Sequence, residues 1–279
     1  MTVMQFVPAL IAIAAALSLI MLLAWAAEQT TGNSGWIDTV WTFGLGVVGL
    51  LCALIPFATE PFESPPRRWL VAIAVFAWAM RLGLHIASRT AGIVDDPRYA
   101  ALRRSWGAKQ AWWQMWLLAQ KQALVSIPLA VAIFLAARNP DAALRPQDFV
   151  AALIFVVAIA GEAIADRQLR EFRRSAPART AICDAGLWRW SRHPNYFFEW
   201  VGWLGYAVIA VDFTGAYPWG WLALAAPACM YWLLVYVSGI PPLEQHMLRT
   251  RGDAFRAYQA RTSAFFPWPA RKIPQAVQP

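Results

Sequence analysis

The sequence predicts an all-α polytopic membrane protein, a bundle of seven transmembrane helices followed by a cytoplasmic tail. Three observations predict it. Seven apolar runs punctuate the chain, each near the ~20 residues that a helix needs to cross a bilayer core. Charged residues make up only 14% of the chain, against about 25% in a soluble domain. Seventeen tryptophans are present, and tryptophan favours the membrane–water interface.

The spans fall in order. Residues 6–27 form the first; no basic segment precedes it and no small-residue cleavage site follows, so it reads as a retained helix. A short polar loop from Glu28 to Gly35 leads to the second, 36–57, which carries Asp38 near its start. The Pro-rich TEPFESPPRR lies outside the bilayer. The third, 69–88, carries Arg81 and His85, four apart on one helix face. A polar loop with five basic residues precedes the long fourth span, 112–137, which contains Lys121. The fifth, 149–165, continues as a polar helical extension to Arg174. The sixth is 196–211 and the seventh 219–237, and residues 238–279 form the tail. No long linker interrupts the chain, so residues 1–279 read as a single integral-membrane domain.

Lys and Arg orient the bundle. About eighteen lie in the third–fourth loop, the fifth–sixth loop and the tail, and about four in the loops of the opposite side. Cytoplasmic loops carry the excess of Lys and Arg, which places the tail inside and the N-terminus outside. The formal charge of +8 therefore belongs to membrane topology, and no nucleic-acid partner is expected. Three cysteines and three histidines are too scattered for a disulfide framework or a metal site. No GxGxxG follows a strand, and there is no P-loop and no GxSxG elbow, so a Rossmann cofactor site is not supported.

The stretch from Gly186 to Tyr206, GLWRWSRHPNYFFEWVGWLGY, concentrates the chemistry. Arg189, Arg192 and His193 open it, and Pro194 marks a helix start. Asn195 and Glu199, four apart, share one helix face inside the apolar run. Intramembrane polar residues cost free energy and so mark functional sites by default. The N–H groups and positive dipole end of the helix, beside Arg192 and His193, make a plausible anion site. Upstream, Glu162, Asp166, Arg170 and Arg173 fall on one helical stripe. Acid then base at this spacing also stabilises a plain helix, and both readings stand.

HPNYFFEWVGWLGYA resembles the C-terminal signature of the steroid 5α-reductase superfamily, and more closely its bacterial DUF1295 branch. The resemblance implies a bacterial inner-membrane enzyme that uses NADPH to reduce a C=C bond conjugated to a carbonyl in a lipid-like substrate drawn from the bilayer. D-x-x-L-R-x-x-R resembles the reductases' cofactor segment, which implies that Asp166, Arg173 and Asn195 bind NADPH, with Arg170, Arg192 and His193 beside them. HIASRT resembles a His-x-x-x-Arg-Thr segment of the same family. Two readings of His85 stand: a residue near substrate or cofactor, or a buried partner of a group such as Asp38. Arg89 reads equally as a phosphate contact or an interfacial residue. DPRY followed by LRxxWG is typical of the DUF1295 branch; Arg98 and Tyr99 would cap the cofactor, unless the segment is simply a solvated helix. The tail motifs SGIPxxE and FxxYxxRTSAFFP implicate Glu244, Tyr258 and Arg261 in cofactor binding, the alternative being an interfacial amphipathic helix.

One departure is clear. The reductases place a Gln-Glu pair in the second span, where this chain has WIDTVW. Asp38 is the carboxylate available to polarise the substrate, with Glu199 next in line and His85 as the third catalytic candidate. R-H-P-x-Y with a Glu-bearing tail helix also resembles the S-adenosylmethionine-dependent isoprenylcysteine and phospholipid methyltransferases of the superfamily. A non-catalytic lipid-binding protein is the third reading.

Overall fold

The computed structural model describes residues 2–56, 65–175 and 180–271, and among them there are helices and no strands. The packing groups the chain into two units, Met1–Ala152 with Gly205–Ala226, and Leu153–Leu204 with Pro227–Pro279.

The first unit is built on α1 (Val3–Thr31), α2 (Gly35–Leu54), α3 (Pro66–Ala91), the short α4 (Pro97–Trp106) and α5 (Ala108–Ala137). In α1 the buried residues Ala9, Ile13, Leu17, Met21, Ala24 and Glu28 form one narrow stripe. The apolar remainder is half-buried or exposed, as expected of a helix facing lipid rather than water. Gly32, at φ +69°, ends α1 in the left-handed conformation that glycine reaches without steric cost. Small residues seat α2 against α3. A Cβ added at Gly46 would lie 2.4 Å from the Ala79 Cβ, the close approach that small residues permit between membrane helices. Pro97 occupies the first turn of α4, where its missing N–H costs nothing, and the Asp96 carboxylate accepts from Arg98 N at 2.9 Å as the cap. On α5, Met115, Ala119 and Ala123, then Leu129 to Ala137, are buried and form the core of this unit.

Arg67 and Arg138, at helix ends, are drawn inward rather than left in loops. Arg67 is 1% exposed and binds Asp148 Oδ2 at 2.9 Å. Its guanidinium also donates to the backbone oxygens of Asn139, Asp141 and Ala143. Arg138 lies over the Phe134 ring at 3.9 Å and donates to Ile55 O.

α6 (Pro146–Ser175) begins in the first unit and continues into the second, which also holds a 3₁₀ turn (Gly186–Arg189), most of α7 (Pro194–Ala210), most of α8 (Ala225–Trp232) and α9 (Ile240–Arg261). The polar extension expected to Arg174 is present as the last turns of α6. The expected seventh span, 219–237, is helical but irregular: a 3₁₀ segment (Pro218–Leu224), α8, then a π-helical segment (Leu233–Val237). Gly252, at φ +49° and ψ −122°, kinks α9. Beyond it Phe255 and Tyr258 are buried.

Among the described residues, six helical segments are long and apolar enough to cross a membrane. The sixth expected span corresponds to α7, which is 17 residues long and so stands at the short end of the range of about 17–25 for a transmembrane helix.

Candidate functional site

In the first unit the residues flanking the α3–α4 corner converge. Asp38 accepts from Arg98 Nη2 at 2.6 Å and from the Tyr99 hydroxyl at 2.6 Å. The same hydroxyl accepts from Gln122 Nε2 of α5 at 2.9 Å. Arg98 also binds Asp96, from Nε at 3.0 Å and Nη2 at 2.8 Å. Arg89 reaches Asp96 Oδ2 at 3.4 Å. Thus Asp38, Arg89, Arg98 and Tyr99, which the sequence offers as separate candidates, belong to one cluster. His85 sits half-buried on α3, one turn before Arg89.

The electrostatics of this cluster follow from burial and pairing. Burial opposes the charge on Asp96, but the hydrogen bonds and positive charge of Arg98 outweigh it and hold the carboxyl below its ordinary value. For Tyr99, burial and then the Asp38 charge push the phenol well above its usual range. Arg98 is held more firmly protonated than an ordinary arginine, because Asp38 and Asp96 overcome the effect of burial. The cluster therefore carries a fixed cation, a carboxylate beside it and a hydroxyl that keeps its proton.

A second network braces the first. Arg103 binds Glu28 Oε1 at 2.8 Å and also the Asp95 carboxylate. Asp95 in turn accepts from the Ser34 backbone and hydroxyl at 2.9 and 2.6 Å. Asn33 Nδ2 donates to the backbone oxygens of Thr90 and Ile93. Glu28 and Gln122 are not singled out in the sequence, and Arg103 stands there only as part of LRxxWG. Glu28, expected in a polar loop, lies on the buried stripe of α1, and that stripe ending in a carboxylate is the signal by which it could be found.

In the second unit, α6 and α7 bring the other candidates together. Asn195 Nδ2 donates to Asp166 Oδ1 at 3.2 Å, and Asp166 is buried. Asn195 Oδ1 accepts from Tyr196 N at 3.1 Å, so the amide also caps the first turn of α7. Glu162, one turn before Asp166, is buried as well. Glu199 accepts from the Trp203 indole at 2.9 Å. Further along α6 the stripe emerges, and Arg170 and Arg173 are exposed.

Glu244 is a separate hub. It accepts from Arg192 Nε at 2.7 Å and from Gln259 Nε2 at 2.7 Å, and lies 2.9 Å from His193 Nε2. Arg192 additionally donates to the backbone oxygens of Gln259 and Thr262. Burial, helped by the Arg192 charge, lowers the His193 imidazole below its ordinary value despite Glu244. The Tyr258 hydroxyl donates to Trp188 O, and Arg261 pairs with Asp184. Arg192, His193, Glu244 and Tyr258 thus tie α9 to the segment that leads into α7.

These features define a helical membrane protein whose polar residues gather into paired networks in each of its two units. Residues 24–262 match the family described as Protein of unknown function (DUF1295), and the chain belongs to that family. No curated protein and no solved structure matches the chain.

Proposed function

We propose that this protein is a membrane-embedded, NADPH-dependent reductase of the steroid 5α-reductase superfamily, acting on a C=C bond conjugated to a carbonyl in a lipid-like substrate. The observation that carries the reading is the Asn195–Asp166 hydrogen bond at 3.2 Å. It joins the two motifs whose resemblance implies a shared cofactor, although they stand 29 residues apart in sequence.

The donor set suits a dinucleotide. Asp166 offers a carboxylate to ribose hydroxyls, Asn195 an amide, and the exposed Arg173 a guanidinium that matches phosphate geometry. When bound, NADPH supplies the hydride. The chain's own contribution is to orient that group and to hold a proton for the carbonyl. Asp38 fixes Tyr99 and Arg98 in place, and the Tyr99 hydroxyl carries the proton within that cluster. Glu199 and His85 are the other titratable residues assigned to the chemistry. Seven spans, with α7 as the sixth, place the tail in the cytoplasm of a bacterial inner membrane and the N-terminus outside. The inward pairing of Arg67 and Arg138 supports this orientation, since it leaves the opposite side with few loop cations. The substrate enters laterally from the bilayer.

The alternative is an S-adenosylmethionine-dependent methyltransferase. That cofactor carries no phosphate and needs fewer cations. Titrating purified protein with each ligand decides: NADPH binding tighter than NADH, with no S-adenosylmethionine binding, supports the reductase. The reverse pattern replaces it with the methyltransferase. If neither ligand binds, a non-catalytic lipid-binding protein is the reading that remains.

A further inference from the structure

α6 and the turn before α7 build a groove on the side of α6 away from the residues assigned to the cofactor. At 3.6 residues per turn, Val157, Ala160, Ile164 and Gln168 fall on one stripe of α6. Glu162, Asp166, Arg170 and Arg173 fall on the opposite stripe. The 3₁₀ turn is pinned to α6 by two bonds. The Trp188 indole donates to Ala165 O at 3.0 Å, and Leu187 N donates to Gln168 Oε1 at 3.0 Å. Phe198 of α7 lies over Gly161, where an added Cβ would meet its ring at 2.5 Å. These residues enclose a groove of about 490 Å³, within the range of about 300–1,000 Å³ usual for small-molecule sites.

The groove changes character along its length. Val157, Ala160 and Ile164 line it and are exposed, on a helix long and apolar enough to cross a membrane. Gln168 is the polar side chain in the lining. Because Leu187 N needs an acceptor, Gln168 presents Oε1 to it. Nε2 is then the donor left over, and it meets no acceptor among the described residues. A Cβ on Gly186 would lie 2.5 Å from that nitrogen, so the glycine leaves room for the amide. Gln168 also stands where the apolar part of α6 gives way to charge. Arg167 and Glu171, both exposed, pair across 3.7 Å on either side of it in sequence. Trp190, exposed in the same lining, carries an indole of the kind that favours the membrane–water interface. An apolar slot, then an amide donor, then one charge of each sign is the order of groups that a zwitterionic phospholipid matches. Its acyl chain, ester carbonyl, and phosphate with ammonium follow in the same sequence.

We propose that this groove holds one zwitterionic phospholipid of the bilayer. Its acyl chain lies against Val157, Ala160, Ile164 and Phe198, and its ester carbonyl accepts from Gln168 Nε2. The proposal does not rest on the reductase reading, since no residue assigned to cofactor or chemistry lines the groove.

The test uses the full chain in nanodiscs of equal parts phosphatidylethanolamine and phosphatidylglycerol. The protein is released in a native mass spectrometer at pH 7, and the lipid it retains is weighed. Wild type should keep one phosphatidylethanolamine in preference to phosphatidylglycerol. Ala160→Trp fills the groove from an exposed position and should cut the ratio of lipid-bound to lipid-free protein about tenfold or more. Val156→Trp places the same bulk on the same helix outside the lining and should retain lipid like wild type. Gln168→Glu keeps an acceptor for Leu187 N but, ionised, has no donor. It should lower the ratio about two- to tenfold, the scale of one hydrogen bond. The proposal is overturned if wild type keeps no lipid or keeps both lipids equally. It is equally overturned if Ala160→Trp or Gln168→Glu retains lipid like wild type, or if Val156→Trp loses it to the same extent as Ala160→Trp.

Discussion

The Tyr99 hydroxyl donates to Asp38 at 2.6 Å and accepts from Gln122 at 2.9 Å, so a residue from the loop helix ties α2 to α5. Tyr99 is 6% exposed, and removing its hydroxyl takes one partner each from the half-buried Asp38 and Gln122. Loss of such a hydrogen bond costs about 0.5–1.5 kcal/mol. Tyr99→Phe should lower the thermal midpoint in detergent. Under the proposed chemistry it should also cut turnover, while leaving NADPH affinity within error of wild type. Equal turnover in Tyr99→Phe would remove Tyr99 from the proton's path. Asp38→Asn should behave in the same way.

NADPH affinity should respond to the second unit. Arg173→Ala removes a charge-assisted hydrogen bond worth about 1.5–3 kcal/mol, which corresponds to a roughly ten- to hundredfold rise in Kd. Arg173 is exposed, so its loss should leave the thermal midpoint unchanged. NADH, lacking the 2′-phosphate, should lose less. A Kd for NADPH unaffected by the substitution would take Arg173 out of the site.

The helix contact at Gly46 is tight enough to test by overpacking. A methyl there would meet the Ala79 Cβ at 2.4 Å, so α2 and α3 must part. Insertions of this kind cost about 1–3 kcal/mol. Gly46→Ala should lower thermal stability, and Gly46→Ala combined with Ala79→Gly should restore much of it. Additive losses in the double variant would show that the two positions do not meet.

Stability should fall on acidification through His193. Its imidazole is held below the ordinary value of 6.5, chiefly by burial. The folded state therefore binds fewer protons than the unfolded one. The contribution is complete above pH about 6.5 and is lost as pH drops through the lower folded value. His193→Gln can still hydrogen-bond Glu244 but does not titrate, so its thermal midpoint should vary less with pH below 6.5. A wild-type slope in the variant would assign the acid sensitivity to another group.

Orientation can be read with fusions. A fluorescent protein after the C-terminus should be bright and alkaline phosphatase at the same place inactive. The opposite pattern would break the seven-span arrangement.

Much of the architecture was legible in the sequence because it is local. An apolar run long enough to cross a bilayer must satisfy its own backbone hydrogen bonds, so length and composition alone indicate a helix. α1, α3, α5 and the polar extension of α6 follow from that rule. Pro97 after Asp96, and Pro194 after His193, announce helix starts for the same kind of local reason. The irregular turns between Pro218 and Val237 were not legible, since their composition is that of any apolar span.

The partners of the polar residues are another matter. Tyr99 meets Asp38 across 61 residues, Arg103 meets Glu28 across 75, and Arg192 meets Glu244 across 52. The sequence by itself determined that these groups sit at or near the membrane, where charge must be paired or functional. Which group pairs with which depends on how each helix is rotated about its axis and where the kink at Gly252 sends the tail. Those are properties of packed surfaces, and they exist only once the chain has folded.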